Sequence, residues 1–490
     1  MIMTLLHRPS ILGSILAGTA LLSGCNLAPK YVRPTGAVPA ALPQGGAYPS
    51  AATDGTDISR VGWRQFFLDP RLRQVIETGL ANNRDLRIAA GNVLQARAQY
   101  RVQRADQLPS ITAGGTATYT NNIQGTGGGS DIEAYQATVG LSSFELDLFG
   151  RVRNLTRAAQ EQFFATGEAQ RSTRITLIAE IATAWLTMAA DAEQLTISRK
   201  TAKAFEETLR LTQAQFRIGT GSELEVRQAE SSYQGAINDI ATLETSLAQD
   251  QNALNLLVGT TVPADQLPAG LGTEPATRDA LPGQISSEVL LRRPDVVEAE
   301  HKLIAENANI GAARAAFFPS ISLTGTLGTV ASALTGLFKS GSYTYNASPS
   351  ASLTLFDYGR NAGNLAYAKA SQQVAVATYE KAIQTAFREV ADALAQRGRI
   401  DDQLRAQKAR ANAAQIAARL SDARFRAGVD SFLTTLDSQR TAYSAEQLLI
   451  TTRQTQASNL VELYRSLGGG LVESDVPAPA TSGNGVPSGG

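Results

Sequence analysis

Few residues in this 490-residue sequence could do chemistry. It holds two histidines, His7 and His301, one cysteine, Cys25, and three methionines. Metal centres need several Cys, His, Asp or Glu ligands at fixed spacing, and histidine-based acid–base catalysis needs a His beside a partner that tunes it. The sequence offers almost no raw material for either, and no Gly-x-Ser-x-Gly nucleophile turn occurs. His301 falls in helical sequence and reads as a solvated position. The run Gly127 to Gly129 is not followed by Gly-Lys-Ser or Gly-Lys-Thr, so it reads as an exposed hairpin loop rather than a phosphate cradle. The expectation is a protein that is not an enzyme and carries no cofactor and no metal.

Cys25 is the exception. Residues 1–24 carry His7 and Arg8, an apolar run from Ile11 to Leu22, and then Ser23 and Gly24, the pattern of a secretory signal. About 12 apolar residues are too few to span a bilayer. Leu22, Ser23, Gly24 and Cys25 resemble a bacterial lipobox, in which the cysteine becomes the lipidated first residue of the mature chain. A lone cysteine cannot form a disulfide within its chain, and lipidation gives it a use. Asn26 is not the Asp that resembles an inner-membrane retention signal, which favours the outer membrane. Removing residues 1–24 takes away Arg8 and no acid, leaving 43 basic against 44 acidic side chains and a net charge of −1. A chain this close to neutral has no electrostatic footprint for nucleic acid.

The elements around these residues follow from proline and glycine placement. Prolines are absent between Pro109 and Pro263 and between Pro349 and Pro477, which leaves room for two very long uninterrupted elements. The chain also repeats itself. Leu108 to Ile111 recurs as Phe318 to Ile321, and Asp85 as Asp295, at an offset of 210. Gly150, Gly219 and Gly259 match Gly359, Gly428 and Gly468 at 209. Each copy predicts a helical stretch (82–108 and 286–316), two strands, a Gly-Arg, a long helix (151–218 and 360–427), a glycine turn and a returning helix (222–258 and 430–467). At 1.5 Å per residue, such a long helix spans about 100 Å.

Apolar spacing predicts lateral packing. Leu177, Ile181, Ala184 and Met188 form one heptad seam, and Ile175, Ile178, Ala182, Trp185 and Ala189 form another about 200° round the helix. Thr176, Glu180, Thr183 and Thr187 lie between them. Two such seams fit a buried bundle helix or a wall with two wet faces, and these polar positions favour the wall. The strand regions, Ile111 to Thr120, Ala134 to Leu148 and Asn346 to Leu355, alternate polar with apolar residues. That pattern fits a soluble amphipathic sheet or a membrane sheet. Four strands cannot close a membrane barrel alone, so a membrane reading requires several copies. Pro349 is awkward inside a strand.

Together these segments resemble the TolC-like outer membrane factors, in particular the lipidated OprM/NodT branch of drug-efflux channels. The matching stretches are Cys25 to Pro34, Trp63 to Leu72, Phe144 to Arg153, Leu290 to Gly325 (opening LLRRPDVVEAE, closing FFPSISLTG) and Phe425 to Arg440 (FRAGVDSFLTTLDSQR). The resemblance implies a mixed α and β membrane protein: a homotrimer whose four strands per chain build a 12-stranded outer-membrane β-barrel, continued by a periplasmic α-helical barrel of coiled-coil hairpins. It implies a signal peptide at 1–24, a lipidated extended segment at 25–60, a first repeat at 61–259 and a linker at 260–284. A second repeat at 285–470 and a disordered tail at 471–490 complete the chain. The implied partners are a periplasmic adaptor, an inner-membrane RND-type pump and outer-membrane lipid. By position, Leu433, Asp437 and Arg440 correspond to a periplasmic gate, and Arg217, Gly219, Thr220, Arg426, Gly428 and Val429 to adaptor-contacting tips. The sequence departs from TolC at Thr434, where that protein carries a second aspartate, so a doubled acidic ring is not expected.

Leu433 and Asp437 share a helix face, and three copies would set an apolar constriction beside an anionic ring. Asp437 could equally pair with Arg440 one turn on, a surface interaction worth under about 1 kcal/mol. The implied function is a passive exit duct for drugs or other small molecules. Metal-ion efflux and type I protein secretion remain open as cargo readings, and a coiled-coil lipoprotein tether as a structural one.

Overall fold

The computed structural model describes residues 26–49, 61–121, 131–278 and 286–469. The signal segment, Cys25, the Gly127 to Gly129 loop and the 471–490 tail lie outside the described residues. Helices α1 (Pro70–Asn82) and α2 (Arg84–Ala105) precede strands β1 (Ile111–Asn121) and β2 (Asp131–Glu145). Helices α3 (Arg151–Arg217) and α4 (Glu223–Val258) complete the first copy. The second runs through α5 (Pro294–Ala315), β3 (Ser320–Ala331), β4 (Tyr343–Ser352), α6 (Arg360–Arg426) and α7 (Phe432–Ser466).

The duplication holds in three dimensions. Helices α2 and α5 have 22 residues each and α3 and α6 have 67 each. The glycines paired by sequence are all left-handed: Gly150 and Gly359 at φ 78° and 85°, Gly219 and Gly428 at 79° and 76°, Gly259 and Gly468 at 76° each. A side chain there would collide with its own backbone, so only glycine ends these elements without strain.

The chain forms two compact units, one holding residues up to Thr35, Gly91–Gly167 and Val297–Lys381, the other Gly36–Ala90, Glu168–Val296 and the residues from Ala382 on. The first contains a four-stranded antiparallel sheet in the order β1-β2-β3-β4. An N-terminal segment lies along α5 in this unit. Arg33 grips Glu300 through two hydrogen bonds of 2.8 Å, and the Tyr31 hydroxyl donates to the same carboxylate at 2.9 Å. His301 is half-buried rather than solvated, because Glu161 of α3 meets its Nδ1 at 2.7 Å and Phe164 covers its ring.

The second unit has its own aromatic core. Phe66 stacks on Tyr464 with ring centres 4.1 Å apart, and the Tyr464 hydroxyl donates to the Val61 carbonyl at 2.9 Å. Gly79 of α1 lies against Ile181 of α3, and Trp185 donates from Nε1 to the Gln266 carbonyl at 3.1 Å. Both seams of α3 are packed here: Ile175, Leu177, Ile178, Ile181, Ala182, Trp185, Met188 and Ala189 are buried. The two-wet-faces reading is therefore too generous for this stretch. Only Glu180 and Thr183 are exposed, because Ala179, Leu186 and Ala190 fill the space between the seams. The most apolar 18-residue window of α3 has a mean hydropathy of 1.3, yet 61% of it is buried inside the fold, which marks a core helix.

Candidate channel wall, gate and tips

The sheet is sided. Opposed residues across the four strands give apolar rows, such as Ala113, Val139, Leu327 and Tyr345. The other face carries hydroxyls: Ser320 meets Ser352 at 2.9 Å and Ser322 meets Ser350 at 2.8 Å. Tyr119 and Tyr135 share a hydroxyl contact of 2.8 Å on the apolar side. Strands of 11, 15, 12 and 10 residues have the length a tilted membrane strand needs, about 9–11 residues. Among the described residues, strands β1 and β4 are each paired on one side only, and Pro349 sits in β4, where an edge strand tolerates its missing donor.

The helix turns are near copies. After α3, Gly219 N donates to the Phe216 carbonyl at 3.0 Å and Thr220 N to Gln215 at 2.9 Å; after α6, Gly428 N donates to Phe425 at 2.9 Å and Val429 N to Arg424 at 2.9 Å. Each is a Schellman closure. Ser222 and Ser431 then cap the returning helices, accepting from Glu225 N and Thr434 N. The closure leaves Arg217, Gly219, Thr220, Arg426, Gly428 and Val429 exposed. Arg424 pairs with Asp430 at 2.9 Å and holds that carboxyl below the usual range.

Above the second turn, Phe432 and Leu436 are buried against Phe205, Ala229 and Ala236. That packing turns the alternate face of α7 outward, so Leu433 is 61% exposed and Asp437 is exposed beside it. Arg440 does not join them. Its guanidinium reaches α4, donating to Ser232 Oγ from Nε at 3.1 Å and from Nη2 at 2.6 Å. Among the described residues no ion pair links it to Asp437, because Ser232 already fixes the guanidinium. Three residues further, the Tyr443 hydroxyl donates to Asp239 at 2.9 Å and lies 2.8 Å from Ser198 Oγ. Burial, reinforced by Asp239, pushes the Tyr443 phenol up to about 12. Sequence reasoning missed both fastenings. The signal was available in Tyr443, a polar aromatic three residues past Arg440 on the same helix face.

A sheet apolar on one face, hydroxylated on the other and unpaired at both edges, joined to 67-residue helices that reverse at glycine, defines an outer-membrane channel. The profile of the outer membrane efflux protein family matches residues 75–260 and 285–469. The chain is 44% identical over 462 residues to the toluene efflux pump outer membrane protein TtgC of Pseudomonas putida, covering 94% of this chain and 95% of that one. It is 38% identical to the cation efflux system protein CusC of Escherichia coli, covering 92% and 97%. Among solved structures, the open state of the Neisseria gonorrhoeae MtrE outer membrane channel superposes with a TM-score of 0.83 at 37% identity, covering 91% and 99%. The chain belongs to the outer membrane efflux protein family. It is an outer-membrane channel for efflux, and its role is transport.

Proposed function

We propose that this chain works as a homotrimer, closing one 12-stranded barrel with a periplasmic tunnel of hairpins, and docks onto a periplasmic adaptor and an inner-membrane RND-type pump. The observation that carries this reading is the pair of unpaired edges on β1 and β4. Strand backbones in hydrocarbon must all be hydrogen-bonded, and four strands are too few to enclose a lumen, so neighbouring copies supply the missing partners. The channel is a passive duct that performs no chemistry, with energy coming from the pump.

Leu433 and Asp437 form the gate, three copies ringing the tunnel, while Arg440 holds α7 to α4 and so sets the gate's position. The exposed turns, with Arg217, Gly219, Thr220, Arg426, Gly428 and Val429, meet the adaptor. Cys25 carries the lipid; its neighbour Asn26 accepts a hydrogen bond from Asn154 at 3.0 Å, which tethers the anchored end to the start of α3. The repeats span 61–259 and 285–470, joined by 260–284. The cargo is small and organic, as the name of TtgC indicates for that protein; the cation cargo named for CusC is the second reading. Deleting the gene and profiling sensitivity to solvents, antibiotics, dyes and metal salts tests this. Sensitisation to organic compounds alone supports the reading, and sensitisation to metal salts alone sinks it.

A further inference from the structure

The turn between β3 and β4 carries an apolar surface that the duct does not use. Helices α2, α3, α5 and α6 all adjoin one end of the sheet, so this turn, Ser332 to Ser342, lies at the opposite end. It has a fixed internal build. Gly336 N donates to the Ala333 carbonyl at 2.9 Å, Lys339 N to Gly336 at 3.1 Å and Ser342 N to Lys339 at 3.2 Å. The Ser342 hydroxyl, itself buried, reaches the Leu337 and Lys339 carbonyls at 2.8 Å each. This arrangement buries Leu337 but leaves Leu334 65% and Phe338 82% exposed, with Lys339 exposed beside them. Two large apolar side chains held out on an ordered turn imply an apolar medium or partner.

The side of the sheet to which the turn bends says which. Alternation along β3 puts Leu323, Leu327 and Ala331 on the apolar face and Ser322, Thr324 and Thr326 on the hydroxylated one. A Cβ built on Gly336 would lie 3.3 Å from Ala331 Cβ. The turn therefore doubles back onto the apolar face, the face that meets lipid in the barrel proposed above, and away from the hydroxyls that line the duct. Tyr119, Tyr135, Tyr343 and Tyr345 share that face near the same end, and Glu133 stands opposite Tyr119. Tyrosines gather where a membrane meets water, and a carboxylate stays out of hydrocarbon. Ala331 pairs with Tyr135, so the turn returns to the sheet at headgroup level.

We propose that this turn is a foot on the outer leaflet: Leu334 and Phe338 enter the acyl-chain boundary, and the Lys339 ammonium rests on a lipid phosphate. The inference rests on the barrel reading. Apolar side chains are stabilised at that boundary, and a lysine near a membrane surface is drawn to anionic headgroups. Continuity favours lipid over a protein cover, because the exposed apolar face of Leu327, Tyr343 and Tyr345 leads directly into Leu334 and Phe338.

The test is spin labelling of the full-length chain in vesicles of phosphatidylcholine and lipid A. Labels are placed through Phe338→Cys, through Leu327→Cys on the apolar face and through Ser348→Cys on the hydroxylated face, with the unsubstituted chain as blank. Collisions with oxygen, which enters hydrocarbon, are compared with collisions with a nickel chelate, which stays in water. The expected oxygen-to-nickel ratio at 338 is close to that at 327 and several-fold above that at 348. Leu334→Cys gives a second reading with Phe338 intact, and adding Lys339→Glu to it should lower its ratio several-fold. A ratio at 334 and 338 as low as at 348 puts the turn in water and overturns the proposal. Low collision rates with both reagents mean a protein cover and overturn it too, and an unchanged ratio in the Lys339→Glu variant overturns the phosphate contact. A nickel-accessible label at 327 would instead overturn the barrel reading itself, and the foot with it.

Discussion

At Gly398 a missing side chain lets the N-terminal segment lie against α6. A Cβ there would overlap the Ala47 carbonyl and crowd Pro49 N at 2.9 Å, and neighbouring Arg399 donates to the Gly46 carbonyl. In an ordinary helix interior, Gly→Ala gains about 1 kcal/mol. Overpacking costs about 1–3 kcal/mol, so Gly398→Ala is expected to destabilise and to free the segment. Limited proteolysis should then cut before Pro49 sooner than in the parent; unchanged cleavage with a raised melting temperature would contradict this. A second residue-scale effect concerns Asp250 on α4. Burial, reinforced by Asp191 of α3, raises its carboxyl from 3.8 to about 6. Between those values the folded chain holds a proton that the unfolded chain has released. Stability is therefore greatest below 3.8 and falls as pH rises through about 6. Asp250→Asn removes the fall, so the variant should melt above the parent at pH 8 with the gap closing toward pH 4. A gap independent of pH would count against a raised Asp250 carboxyl as its cause.

At the scale of elements, the Schellman turns depend on left-handed glycine. Gly219→Ala and Gly428→Ala should each cost about 1–2 kcal/mol, read as faster amide exchange in the last turns of α3 and α6. Unaltered protection would mean that the turns tolerate a side chain. These elements were the most legible part of the sequence: the expected 151–218 and 360–427 became Arg151–Arg217 and Arg360–Arg426. Glycine and proline act locally, so their effect is written where they stand. What pairs across the chain was not legible. The β2–β3 register, with its bulge beside Ser143 at φ 50°, joins residues about 180 positions apart. Arg440 meets Ser232 across 208 positions, and no local pattern marks serine rather than Asp437 as its partner. The seams of α3 marked burial correctly but could not say that Ala179, Leu186 and Ala190 between them are buried too.

For the whole molecule, the two sheet edges left unpaired among the described residues and the outward Leu433 and Asp437 have one explanation in the proposed assembly. In the homotrimer proposed above, a single chain is a third of a closed wall, and neighbours cover its unpaired strand edges. Arg440 then matters twice, as a fastening of α7 to α4 and, in the gate proposed above, as a neighbour of the Asp437 ring. The direct measurement is single-channel conductance of the purified protein in planar bilayers, with Asp437→Ala and Arg440→Ala compared against the parent. The account predicts a small, mostly closed conductance for the parent and a several-fold rise in both variants as the ring loses charge or α7 loosens. A protein that inserts as an oligomer yet conducts no ions, in the parent or in either variant, would contradict the claim that this chain builds a gated channel.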